Sequence, residues 1–280
     1  MIRKLLVAMP LAAVMVTSAY AEQTPGDVLR GLIDRTQSPY LTQSPQNVQM
    51  IDDSPAIWTG YEGGDLFKAP RGPNNVSMES CDFGKGPGVV KGAAVELPRY
   101  FADTNKVMDL EGRIVHCMTT VQGFAKDDPA VRTRHGSNSD MMKIMTYIAM
   151  ESNGMPWNPP LSHPLEVAMR DAGEEMFFRR QGLMDFSCAT CHGPDASHKR
   201  IRASVMSSSS VPSDWTKSIS WPAFRVGQQH ARSPQNRVRG CYWQMRTGQI
   251  RQDSDAMMAI LSYWTDAARG QPAILPDMKR

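Results

Sequence analysis

The sequence lacks a strong charge of either sign: 31 Lys and Arg stand against 28 Asp and Glu, a net charge of +3, with no Lys/Arg-rich run. Without that electrostatic footprint, nucleic acid is not an expected partner. Long apolar runs are missing beyond the N-terminus, so nothing downstream supplies the roughly 20 apolar residues of a membrane span. A βαβ pattern is missing as well, and with it the setting of a thioredoxin-like redox pair. Aromatics are ordinary at 8%. Methionine is not scarce: there are twenty, a residue suited to irregular cores and to packing around a flat cofactor.

What is present begins with an export pattern. Arg3 and Lys4 precede an apolar run from Leu5 to about Val16, and Ala19-Tyr20-Ala21 forms an A-x-A site. That is the layout of a secretory signal peptide over residues 1–21, with the mature chain starting at Glu22. A soluble, exported product is therefore expected. One helix is expected over Gly26–Arg35, followed by a Ser/Pro/Gln-rich arm through Gln49.

One complete C-x-x-C-H occurs, Cys188-Ala189-Thr190-Cys191-His192. It is the attachment signature of a c-type haem: two thiols add to the vinyl groups, and the adjoining imidazole is the proximal iron ligand. Zinc would need a second ligand pair at matching spacing. The motif predicts one covalent haem c on Cys188 and Cys191, with His192 on the iron.

An internal comparison adds to this. Aligned without a gap, Phe67 falls on Phe177, Gly72 on Gly182 and Cys81 on Cys191, while Met78 stands at the place of Cys188 and Asp82 at that of His192. Further on, Gly112-Arg113-Ile114-Val115-His116-Cys117 parallels Asn236-Arg237-Val238-Arg239-Gly240-Cys241. Apolar helices opened by Ser139-Asp140 and Ser254-Asp255 follow. The expected fold is mainly α, two cytochrome c-like domains in tandem, the N-terminal one without haem. The expected boundaries are 22–159 for the arm and haem-free domain and 160–280 for the haem domain, joined through the proline-rich stretch Asn153–Pro164. Ser207–Ser210 with Pro212 is expected to be a loop in the haem domain.

Haem attachment takes two of the five cysteines. In an oxidising compartment three others mean one pair and one odd thiol. Cys81 and Cys117 both approach the vacant haem position of the first half, so they are the expected disulfide, worth about 3–4 kcal/mol in the chain-entropy account. Cys241 is left over where a cytochrome supplies its second axial ligand, with Met206, Met245, Met257 and Met258 as competitors. Arg232, Arg237, Arg239, Arg246 and Arg251 cluster around it. Arginine forks suit small oxyanions, and a nearby cation favours a thiolate.

These stretches, together with Glu96-Leu97-Pro98-Arg99-Tyr100-Phe101 and Val107-Met108-Asp109-Leu110-Glu111, resemble the SoxA family of the SoxAX cytochrome complexes of sulfur-oxidising bacteria, across nearly the whole mature chain. The resemblance implies a periplasmic L-cysteine S-thiosulfotransferase working as a heterodimer with a SoxX-like small monohaem cytochrome. Such an enzyme joins thiosulfate oxidatively to a cysteine of a SoxYZ-like carrier, and electrons leave through haem to a downstream cytochrome c. It implies that Cys241 is the catalytic cysteine, carried as a persulfide that also ligates the iron, and that Arg237 binds substrate. Met78 and Asp82 depart from members with a second haem, so the single-haem type is expected. A pure electron-transfer cytochrome without sulfur chemistry is the alternative.

Overall fold

The computed structural model describes residues 55–131, 139–192 and 218–279. The signal segment, the helix expected over Gly26–Arg35, the arm through Gln49, Met206 and the Ser207–Ser210 loop lie outside the described residues. Helices joined by long loops dominate, and the strands are three residues each.

Most helices begin where a short polar side chain can take up an otherwise unpaired N–H. Asp109 accepts from Gly112 N–H at 2.8 Å to open α2 (Leu110–Thr120), after an uncapped α1 (Ala56–Lys68). Ser139 opens α3 (Asp140–Met150) by accepting from Met142 N–H. At α4 (Pro164–Phe178) the His163 ring accepts from Leu165 N–H, and the Glu166 carboxylate takes the His163 N–H at 2.9 Å. α5 (Cys188–His192) is one turn. Ser233 with Pro234 opens α6 (Pro234–Gln244), and Ser254 opens α7 (Asp255–Ala267). β1 (Arg99–Phe101) and β2 (Lys106–Met108) pair antiparallel. A small sheet orders β4 (His230–Arg232), β3 (Ala223–Arg225) and β5 (Asp277–Lys279), antiparallel then parallel.

The internal comparison has a geometric counterpart. α1 crosses α3 so closely that a Cβ on Gly63 would stand 1.9 Å from the Lys143 carbonyl oxygen, and α4 crosses α7 so that one on Gly173 would stand 1.9 Å from that of Ala259. Only glycine permits either approach. Phe67 meets Tyr147 at 5.4 Å between ring centroids, and Phe177 meets Tyr263 at 5.5 Å. Each first helix runs into the same loop: Gly72 and Gly182 at φ +69° and +75°, Asn75 and Asp185 at +51° and +48°, closed by bridges Arg71–Val76 and Gln181–Phe186. Both copies lie within one compact unit.

The copies differ in what fills them. In the first, Met78 is fully buried and Cys81 is bonded to Cys117, with Cα atoms 5.9 Å apart. Asp82 turns its carboxylate onto the N–H groups of Gly84 and Gly86, at 2.6 and 2.8 Å. Arg113 inserts its guanidinium, pairing with both Asp103 oxygens at 2.7 and 3.0 Å, donating to the Asp82 carbonyl at 2.7 Å and lying 4.1 Å over Phe101.

The proline-rich stretch is helix-free up to its last proline, Pro164, which opens α4, and it is pinned. Trp157 is buried, its N–H bonds the Gln271 carbonyl, and Gly154 and Met155 pair with Ala273. Its prolines stop helices while the residues between them pair with the C-terminal tail.

Candidate functional site

α5 carries the C-x-x-C-H residues on a single turn. Ser187 and Thr190 fix its start: Thr190 Oγ1 accepts from Ser187 N–H at 3.0 Å, and Ser187 Oγ from Thr190 N–H at 3.2 Å. Cys188 is buried, whereas Cys191 and His192 are half-buried. Burial, and then the neighbouring sulfurs of Cys241 and Cys191, push the Cys188 thiol up to about 12, with its own backbone hydrogen bond opposing. Such a sulfur stays protonated at neutral pH; its use lies in a neutral bond, not in thiolate nucleophilicity.

The partner surface is α6. Arg237 and Cys241 are four residues apart on this helix and therefore lie on one face, one turn from each other. Next to Cys241, Tyr242 is buried; its phenol is raised first by burial and also by the Cys188 and Cys241 sulfurs, while a hydrogen bond with Gln181 opposes. The Cys188 sulfur and the Tyr242 phenol thus both lie near the Cys241 sulfur. The five arginines separate. Arg232, lowered by burial, donates to the His230 ring at 3.3 Å. Arg239 donates to Gln252, Arg246 lies 4.6 Å over Trp243, and Arg251 is exposed. Arg237 is half-buried, and among the described residues no hydrogen bond or ion pair holds its side chain. The competing methionines Met257 and Met258 are core residues, the latter accepting from Asp109 N–H at 3.3 Å, and Met245 is buried at the end of α6.

Sequence reasoning missed what holds α6. Gln235 donates to Asp109 at 2.9 Å and to Asp253 at 3.1 Å, and takes the Asp253 N–H at 3.0 Å. Gln252 joins Arg239 to Glu111 of α2, at 3.3 and 2.8 Å. The helix with Arg237 and Cys241 is thereby tied to the first copy. Only the Asp109 cap among these had a local signal.

The donors fit a covalent haem. Two sulfurs and an imidazole stand on one helical turn, one of those sulfurs is buried, and the Cys241 sulfur of α6 lies near it. Among the described residues no group of three or more His, Cys, Asp and Glu is disposed to hold a bare metal ion.

The family model described as "SoxA/TsdA, cytochrome c domain" matches residues 62–157. The L-cysteine S-thiosulfotransferase subunit SoxA of Hydrogenophilus thermoluteolus is 41% identical over 238 residues, covering 83% of this chain and 85% of the relative. A subunit of the same name from Hydrogenobacter thermophilus is 33% identical, covering 77% and 80%. The fold is similar to a chain of the SoxXA crystal structure from P. pantotrophus, with TM-score 0.68, 25% identity and coverage of 87% and 86%. Likeness of this extent runs through both copies of the repeat, and the chain belongs to the SoxA family.

Proposed function

We propose that the chain is the haem-carrying subunit of a periplasmic L-cysteine S-thiosulfotransferase, partnered by a SoxX-like cytochrome and acting on thiosulfate and a SoxYZ-like carrier thiol. The observation that carries the reading is the placing of Cys241 and Arg237 on one face of α6, near the buried sulfur of Cys188 in the C-x-x-C-H turn. The relatives are named for this transfer, which is more than an electron-transfer cytochrome does.

Joining thiosulfate to a carrier thiol forms one S–S bond and releases one proton and two electrons. A bound haem supplies the path by which those electrons leave toward SoxX and a downstream cytochrome c. Cys188 and Cys191 would hold it covalently, and His192 and Cys241 would ligate its iron. Arg237, half-buried and with no other partner among the described residues, neutralises the thiosulfate dianion beside Cys241. Cys241, carrying one further sulfur as a persulfide, presents a sulfur for exchange.

The tandem reading assigns residues 22–159 to the arm and a haem-free cytochrome c-like domain and 160–280 to the haem domain, with one haem in all. Supporting it are the repeated glycine crossings, the family model over 62–157, and Met78, Asp82 and Arg113 in place of Cys188, His192 and Arg237. The disulfide of Cys81 with Cys117 cross-links the first copy.

The test is Cys241→Ala in the haem-loaded complex. It should keep its haem, which hangs on Cys188 and Cys191, and lose sulfur transfer, while peptide mass analysis of the wild type finds an added sulfur on Cys241. Normal turnover by the variant would falsify the assignment.

A further inference from the structure

The first copy contains a disulfide exactly where the second has two thiols, if the repeat is taken residue by residue. Cys117 is the eighth residue of the eleven-residue α2, and Cys241 the eighth of the eleven-residue α6. Cys81 and Cys191 stand at matching places after the Gly72 and Gly182 loops, nine residues beyond each glycine. The loops are seated on the two helices alike. A Cβ on Gly72 would press on the Gln122 carbonyl oxygen, five residues past Cys117, and one on Gly182 on the Arg246 carbonyl oxygen, five past Cys241. Asn74 N–H bonds that Gln122 carbonyl at 3.0 Å, and Leu183 N–H, one place earlier in its loop, bonds that of Arg246 at 3.3 Å. By place in the repeat Cys191 and Cys241 are the counterparts of Cys81 and Cys117, whose Cα separation of 5.9 Å is ordinary for a disulfide, although the structure itself leaves Cys191 and Cys241 unbonded to each other.

We infer that, before haem is attached, Cys191 and Cys241 form a disulfide in the exported chain, so that loading depends on reducing a bond between the attachment motif and the catalytic helix. Exposure favours this pair: Cys191 and Cys241 are half-buried and Cys188 is buried at 6% exposure. Formation takes a disulfide oxidant. A protein thiolate attacks its S–S bond, the second protein thiol displaces the mixed disulfide, two protein thiols lose two electrons and two protons, and the oxidant ends as two thiols. The linked form has no Cys191 thiol for a vinyl group and no Cys241 sulfur for chemistry; a dithiol restores both. The inference rests on reading the C-x-x-C-H as a haem site.

The test uses the full mature chain made without haem attachment, oxidised with glutathione disulfide, alkylated and mapped without reduction. Linked peptides Cys81 with Cys117 and Cys191 with Cys241, and an alkylated Cys188, are expected. Alkylated Cys241, a Cys188 to Cys191 link, or any other partner for Cys241 overturns the inference. A second arm compares haem staining per exported chain when reductant is limiting. Cys241→Ser should load more haem than the wild type, and added dithiol should abolish the difference; equal loading under limiting reductant overturns the inference. A wild type that takes no haem even with ample dithiol sinks the haem-site reading instead.

Discussion

Gly173→Ala tests the close crossing of α4 and α7. Two effects oppose each other. Inside a helix, alanine is favoured over glycine by about 0.8–1 kcal/mol, which alone would stabilise the variant. Against this, the new Cβ would sit 1.9 Å from the Ala259 carbonyl oxygen and 2.8 Å from the Tyr263 Cβ. The first obstacle is backbone and cannot rotate away. Reaching an ordinary contact near 3.4 Å requires the helices to part by roughly 1.5 Å, and a gap of about 0.5–1 Å already forfeits a quarter to a half of each contact across it. The contacts at risk include Phe177 on Tyr263 and the fully buried Met257 and Ile260. Overpacking costs typically about 1–3 kcal/mol, and a backbone obstacle belongs at the upper end, so a net loss of about 2 kcal/mol is expected. For a chain of this size that lowers Tm by roughly 4–8 °C. The assay is thermal unfolding of the haem-loaded protein by circular dichroism. Gly60→Ala is the control, since its Cβ meets the movable thioether of Met150; it should remain within about 1 kcal/mol of the wild type. A Gly173→Ala protein with unchanged Tm would refute the reasoning.

Two further outcomes follow. Arg237→Ala should lower kcat/KM for thiosulfate roughly ten- to hundred-fold with haem and Tm unchanged, because a charge-assisted contact to an anion is worth about 1.5–3 kcal/mol; steady-state kinetics at constant ionic strength reads it, and unaltered kcat/KM removes Arg237 from the site. His116 is held below its ordinary value of 6.5, first by burial and then by the Arg113 guanidinium, with Asp103 opposing. The unfolded chain therefore takes up a proton as pH falls below 6.5 sooner than the native one, and native stability declines on acidification through that window. Denaturant midpoints measured from about pH 8 to 5 should show a flatter decline in His116→Asn than in the wild type; parallel curves would exclude the linkage.

What the sequence reveals divides by distance along the chain. The C-x-x-C-H turn, the caps at Asp109, Ser139, Ser233 and Ser254, and the repeat itself are local patterns with fixed spacing, and each is readable because neighbouring residues impose it. Arg237 and Cys241 fall on one face only if residues 234–244 are helical, and Ser233-Pro234 is a local signal for that start. The pairing of Gln235 with Asp109 spans 126 positions, and that of Gln252 with Glu111 spans 141. A glutamine has no pattern marking it for such a bond; the choice is made when the two copies pack. The same holds for Met155 and Trp157 against the C-terminal tail, where composition foretells only the absence of helix.

Those long-range bonds give the first copy a task in holding α6. Asp109, Glu111 and Gln235 are all nearly inaccessible to water. A buried polar group left without its partner costs about 1–3 kcal/mol, so any shift of α6 along α2 that broke these bonds would be opposed by several such penalties together. The first copy is in turn braced by the Cys81 to Cys117 link and by Arg113 clasped between Asp103, Asp82 and Phe101. Rigidity therefore passes from the cross-linked core through Asp109 and Glu111 to Gln235 and Gln252, and from them to the helix bearing Arg237 and Cys241. On the proposed reading Cys241 meets both an anionic substrate and a carrier thiol, and a fixed helix serves it better than a loop, because misplacement by about an ångström can cost roughly a hundred-fold in rate.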